Sequence, residues 1–199
     1  MAITSSVPGE GKTTVAANLA LLFAMSGVRT LLVDSDLHHA SLSRLLAPDA
    51  KRGLVDAIAG TTPVEKAIVH LNHGLDLLPV GQVEEGAQSD AILGSDKAQK
   101  LVADLQQRYE FVIFEIPPLT ASLDGLTIGS MLDCTLLLAE WGKTSVPLLS
   151  EAIHLLRNAD VEILGVAINK TDVSTIQYGE GWSDYISNPY VAGPVRRIA

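Results

Sequence analysis

The stretch Ser5-Ser6-Val7-Pro8-Gly9-Glu10-Gly11-Lys12-Thr13-Thr14 constrains this chain more than any other. It follows the phosphate-loop pattern of a glycine, four free residues and Gly-Lys-Ser/Thr, with Ser6 in the opening position. Gly9 and Gly11 let the backbone turn tightly, so successive N–H groups point into one concavity that suits phosphate oxygens. Lys12 is placed to reach the outer phosphates, and the Thr13 hydroxyl to meet Mg²⁺. Pro8, Gly9, Glu10, Gly11, Lys12, Thr13 and Thr14 are therefore the candidate nucleotide-binding residues. The flanks agree: Ala2-Ile3-Thr4 reads as a short buried strand, and TTVAANLALLFAMSG as an apolar helix stopped by Gly27. A helix N-terminus behind such a loop adds partial positive charge where phosphate would sit.

Further along, strand and helix patterns alternate. Residues 29–36, 74–80, 111–116, 133–140 and 162–169 read as strands, and 96–109 and 147–159 as helices. Residues 41–70 suggest short helices broken by Pro48, Gly53, Gly60 and Pro63, and 81–95 a polar loop. Alternation of this kind predicts an α/β fold with a mostly parallel sheet between two helical layers, the three-layer arrangement of P-loop NTPases. Ligands then bind at the carboxyl ends of the strands.

Acids stand at those ends. Asp34 and Asp36 close the second strand and Glu115 closes the strand at 111–116. Carboxylates so placed can hold Mg²⁺ or polarise an attacking hydroxyl, so Lys12, Asp34, Asp36 and Glu115 are the candidate catalytic residues, and Thr13, Asp34 and Glu115 the candidate magnesium ligands.

Bulk properties narrow the classes. The chain has 199 residues, enough for one α/β domain with a sizeable core. Its net charge of −9 disfavours nucleic acid as a partner and leaves no polybasic membrane patch. Cys134 is the single cysteine, which excludes both a disulfide framework and a cysteine-ligated cluster within one chain. No apolar run is long enough to span a bilayer, so the sequence reads as soluble, and the loop's closeness to residue 1 suggests a domain cut from a longer protein. The composition changes after Lys170: residues 171–199 have little periodicity and read as a flexible tail carrying Tyr178, Tyr185 and Tyr190.

With these residues on hand, TSSVPGEGKTTVAANLA, LLVDSDLHHASLSRLL, GLVDAIAG, GLDLLPVG, RYEFVIFEIPPL and GVAINK resemble, in order and spacing, the bacterial tyrosine kinases, cytoplasmic ATPase domains of polysaccharide co-polymerases. The resemblance covers nearly all of residues 2–170 and implies a fold of the MinD/ParA type. It implies ATP and Mg²⁺ as cofactors, Lys12 and Thr13 in the first Walker motif, Asp34 and Asp36 in the second, and Glu115 in the third. By the same resemblance Asn169 contacts adenine and Asp124 matches a further acidic position. The activity implied is transfer of the ATP γ-phosphate to tail tyrosines, here Tyr178, Tyr185 and Tyr190, regulating exopolysaccharide or capsule polymerisation and export. Its setting would be the cytoplasmic side of the inner membrane, as a homo-oligomer with a transmembrane activator segment, fused or separate.

Two positions depart from the family pattern: Glu115 where aspartate is usual, and His38 where arginine or lysine is usual. They favour, as the alternative, a catalytically weak ATP-binding regulatory module. A partition or division-site ATPase would carry a second lysine early in the loop, where this chain has Val7. His38-His39 read as loop residues beside the phosphates.

Overall fold

The computed structural model describes residues 1–83, 86–122 and 124–172. Within them a seven-stranded sheet has the order β3-β4-β2-β5-β1-β6-β7. The strands are β1 (Ala2–Ser5), β2 (Thr30–Asp34), β3 (Val69–His70), β4 (Leu75–Leu78), β5 (Phe111–Glu115), β6 (Thr135–Glu140) and β7 (Ile163–Asn169). All neighbours pair in parallel except β3, which runs antiparallel to β4 at the sheet edge. β1 and β2 are buried at every position, Thr4, Ser5, Thr30 and Asp34 included, as strands in the middle of a parallel sheet covered on both faces must be.

Helices cover both faces. α1 (Lys12–Met25) turns Ala16, Ala20 and Ala24 toward the sheet, and these small side chains pack with Ile3, Leu32, Leu77, Ile113 and Leu138. Gly27, at a φ of 83°, adopts the left-handed turn that ends the helix, and its N–H bonds to the Ala24 carbonyl. On the opposite face α3 (Leu54–Ala59) and α6 (Asp96–Arg108) enclose Leu31, Val33, Leu78, Val112 and Phe114. α8 (Val146–Asn158) covers Leu137 with Ala152 and Leu156. Ser95 and Ser145 cap α6 and α8 by accepting the Ala98 and Leu148 N–H groups, which places both helix starts one residue from where periodicity alone predicts them or closer.

Two segments differ from the sequence expectation. Residues 41–70 do contain the short helices α2 (Ser41–Leu46), α3 and α4 (Val64–Ala67), but also β3, too short to show a strand period. The stretch 81–95 is not wholly a loop, since it holds α5 (Ser89–Leu93). α7 (Asp124–Gly129) follows β5. No helix among the described residues is long and apolar enough to cross a membrane.

Candidate nucleotide and metal site

Topology brings the candidate residues together. β5 lies between β2 and β1, with Asp34 opposite Glu115 and Ile3 opposite Glu115 in register. The loop leaving β1 therefore arrives beside the two acids that end β2 and β5. Gly9 and Gly11 take φ values of 88° and 101°, open to glycine alone without strain, and Gly11 is the N-cap of α1. The first helical bond runs from the Val15 N–H to the Gly11 carbonyl, so the N–H groups of Lys12, Thr13 and Thr14 have no partner within the helix. Unpaired N–H groups at the positive end of a helix dipole suit an anion.

Thr13 and Glu115 are in direct contact. The Thr13 hydroxyl donates to Glu115 Oε1 at 2.6 Å, and the Lys12 ammonium lies 3.9 Å from the same oxygen. Glu115 is 1% exposed, and burial pushes its carboxyl up to about 7 against the pull of the Thr13 hydroxyl and the Lys12 charge. Asp34 is fully buried. Its Oδ2 accepts both the N–H and the hydroxyl of Ser43, at 2.8 and 2.7 Å, while Oδ1 accepts the Asp36 N–H. Burial raises the Asp34 pKa, with the Ser43 bonds pulling the other way. Asp36 accepts the His39 N–H through Oδ1 at 3.0 Å.

The two histidines part company. His39 faces Asp36, whereas His38 Nε2 lies 3.1 Å from Asp124 Oδ2, an oxygen that also accepts the Ser89 hydroxyl at 2.5 Å. Asp124 thus joins the turn after β2, α5 and α7. Asn169, at the end of β7, donates from Nδ2 to the Glu10 carbonyl at 2.7 Å, and Lys170 donates to the Gly9 carbonyl at 2.6 Å. Ser89 and Thr144 lie in no motif of the sequence, while Ser43 and Lys170 fall inside the stretches LLVDSDLHHASLSRLL and GVAINK without a role of their own there. Tyr178, Tyr185 and Tyr190 lie outside the described residues.

These residues fit nucleotide and magnesium. Glu115 Oε2 is buried with no hydrogen-bond partner among the described residues, and an unpaired carboxylate oxygen beside a threonine hydroxyl is the donor chemistry a hard cation takes. No cluster of three or more His, Cys, Asp or Glu side chains arranged for a metal occurs among the described residues. Magnesium does not require one, since it is commonly held by one or two carboxylates together with substrate phosphates and water.

Known proteins give the family. The family described as cellulose biosynthesis protein BcsQ matches residues 1–161. The chain is 31% identical over 173 residues to the tyrosine-protein kinase YwqD of Bacillus subtilis, covering 86% of this chain and 72% of that protein. The chain belongs to the BcsQ family and is a relative of the bacterial tyrosine kinases. It is also 32% identical to the succinoglycan biosynthesis transport protein ExoP of Rhizobium meliloti, over 88% of this chain but only 23% of that protein. The chain spans about a quarter of the length of the first curated relatives it matches. Among solved structures, the VpsO kinase domain superposes with a TM-score of 0.80 at 30% identity, covering 86% of this chain and 84% of that one. The kinase domain of Escherichia coli tyrosine kinase ETK gives 0.79 at 28% identity, covering 89% and 71%. The P-loop α/β fold expected from sequence is borne out.

Proposed function

We propose that this chain binds Mg-ATP and transfers the γ-phosphoryl group to tyrosine, as a kinase domain acting in exopolysaccharide or capsule production. The observation that carries this reading is the strand register that sets Asp34 and Glu115, the acids ending β2 and β5, side by side next to the phosphate loop leaving β1. Relatives named as tyrosine kinases and as a succinoglycan transport protein support it.

The residues divide the work. The N–H groups at the start of α1 bind phosphate oxygens, and Lys12 neutralises the outer phosphates. Thr13, Glu115 and Asp34 would hold Mg²⁺, which when bound neutralises charge on the phosphates. Asn169 meets the base. The acceptor's phenolic oxygen forms a bond to the γ-phosphorus as the bond to the bridging oxygen breaks and ADP leaves. Asp36, at the end of β2, is the proposed acceptor of the phenolic proton. Catalysis of this kind is mostly positioning and charge stabilisation, which suits a site made of backbone donors and strand-end acids. Tyr178, Tyr185 and Tyr190 are the proposed acceptors. A transmembrane activator segment and a homo-oligomer complete the proposal, on the cytoplasmic side of the membrane.

A second reading has one observation in its favour. Glu115 reaches Thr13 directly, closing the place where an outer-sphere acid would leave room, and this suits a nucleotide-sensing module of low catalytic power. Intact mass after incubation with Mg-ATP, beside a Lys12→Met control, separates the two. Phosphate added to a tail tyrosine and absent in the control supports the kinase. Bound ATP with no added mass, even with a relative's activator segment present, overturns it in favour of the sensing module.

A further inference from the structure

Glu10 is a carboxylate inside a loop suited to phosphate, and it is 1% exposed. A negative charge in that place opposes a polyphosphate unless it is turned away and neutralised by donors. Both conditions are met. Oε2 accepts the Val7 N–H at 3.0 Å, within the loop itself. Oε1 accepts the Glu140 N–H at 3.2 Å, from the end of β6, and the Thr144 hydroxyl, from the turn that leads to α8.

The backbone of the same loop residues is held from the same side. The Glu10 carbonyl accepts Asn169 Nδ2, and the Gly9 carbonyl accepts Lys170 Nζ, whose ammonium lies 2.9 Å from Glu140 Oε2. A Cβ on Gly11 would come within 2.2 Å of Asn169 Nδ2, so the next loop residue also abuts this wall. Asn169 spends its Nδ2 on Glu10, which leaves Oδ1 as the amide's acceptor. The ends of β6 and β7 and the phosphate loop thus form one hydrogen-bonded unit, and its most buried member is the Glu10 carboxylate.

We propose that Glu10 is a positioning residue for the nucleotide: anchored on Thr144, its carboxylate fixes the curvature of the phosphate loop and ties that loop to the base-side wall of Glu140, Thr144, Asn169 and Lys170. The inference rests on the nucleotide reading given above and deepens it. Glu10 touches no phosphate. It acts by presenting the N–H groups of the loop already ordered, so that binding does not have to bear the entropy of ordering them. A glutamine in its place keeps the size but turns one acceptor into a donor, which faces either the Val7 N–H or the donors of the turn.

The test is titration of the nucleotide-free protein with a fluorescent ATP analogue. The proteins compared are the unaltered chain, Glu10→Gln, Thr144→Val, Thr144→Ser and the double variant Glu10→Gln/Thr144→Val. Glu10→Gln and Thr144→Val are each expected to weaken ATP by about tenfold, as the loss of a hydrogen bond to a charged group implies. Thr144→Ser keeps the hydroxyl and retains the affinity, a rescue that loss of general packing would not give. The double variant is expected to bind less weakly than the two penalties multiplied, since both changes act on one hydrogen-bonded network. Penalties that multiply, or Glu10→Gln binding within about twofold of the unaltered chain, overturn the proposal. Should Glu10→Gln lose its melting transition, Thr144→Val binding as well as Thr144→Ser would overturn it just as surely. An unaltered chain that binds no ATP removes the nucleotide reading and this inference together, whereas ATP binding indifferent to Glu10 removes the inference alone.

Discussion

The Thr13 hydroxyl donates to Glu115 Oε1 at 2.6 Å, so a side chain from the first turn of α1 and one from the end of β5 are bonded directly across the candidate metal site. The length of glutamate makes this possible. An aspartate at the same position would stop roughly 1.5 Å short and leave space between carboxylate and hydroxyl. A metal entering beside Glu115 has to displace the bond, and a bond of this kind contributes about 1 kcal/mol. Glu115→Asp is therefore expected to raise magnesium-dependent ATP binding about fivefold, read by titration at fixed ATP analogue. An aspartate variant as weak as Glu115→Ala would show that the contact assists the metal instead of competing with it.

Glu115 also sets a pH dependence. Burial moves its carboxyl from the ordinary 4.5 up to about 7. Between those values the folded chain holds a proton that the unfolded chain has released. The stability from this group is complete below about pH 4.5 and is lost as pH rises through about 7, a span of about 3 kcal/mol. Asp34, raised by its own burial, acts in the same direction. Glu115→Gln carries no charge to bury, so in urea unfolding without nucleotide it is expected to gain on the unaltered chain between about pH 5 and about pH 8. A gap that stays constant with pH would contradict the buried, partner-poor environment of Glu115 Oε2.

Lys12 is 8% exposed, and its ammonium lies 3.9 Å from Glu115 Oε1, beside the candidate metal site. Lys12→Met keeps the aliphatic stem and removes the charge. ATP affinity is expected to fall by roughly a hundredfold, on the scale of a lost contact between a cation and phosphate. Calorimetric titration with Mg-ATP checks it, and an unchanged dissociation constant would rule Lys12 out of the site.

Gly53 tests the scaffold behind the site. Its N–H is accepted by Asp56 Oδ2 at 3.0 Å, and a Cβ there would lie 2.1 Å from the Pro79 carbonyl oxygen and 2.4 Å from the Gly81 nitrogen. Both obstacles are backbone, so the strand end cannot yield as a side chain would. Gly53→Ala is expected to destabilise by about 3 kcal/mol, the upper part of the overpacking range. Thermal unfolding within a degree or so of the unaltered chain would mean that residues 79–81 shift freely.

How far the sequence shows all this depends on the reach of each contact. The phosphate loop, the apolar runs of β1, β2, β5 and β6 and the acids ending β2 and β5 are local patterns, and local patterns are legible. β3 was missed because Val69 and His70 are too few to display alternation. α5 was missed because Ser89–Leu93 sits in a polar, glycine-bearing stretch where a single turn leaves no period. Glu10 could be assigned to the loop from its motif, but not its partner Thr144, 134 positions away. His38 and Asp124 stand 86 positions apart, and only the fold makes them neighbours.

Asp124 carries the last prediction. One of its oxygens, Oδ2, meets the Ser89 hydroxyl at 2.5 Å and His38 Nε2 at 3.1 Å, while its own N–H donates to Ser122 at 3.0 Å. Burial would raise its carboxyl, but Ser89, Ser122 and His38 outweigh that and hold it below the usual carboxylate range. Apart from Ser89, which also lies 3.2 Å from His38 Nε2, the Ile92 and Gly94 N–H groups bond to the carbonyls of Gln88 and Asp90, within the helix's own turn. Losing a hydrogen bond to a charged group costs about 2 kcal/mol, so Asp124→Ala should let α5 open roughly thirtyfold more often. Hydrogen exchange at Ile92 and Leu93 is expected to quicken by that factor, while amides of β5, locked between β1 and β2, stay protected. Unchanged exchange in α5 would show that Leu93, fully buried in the core, anchors the helix without help from Asp124.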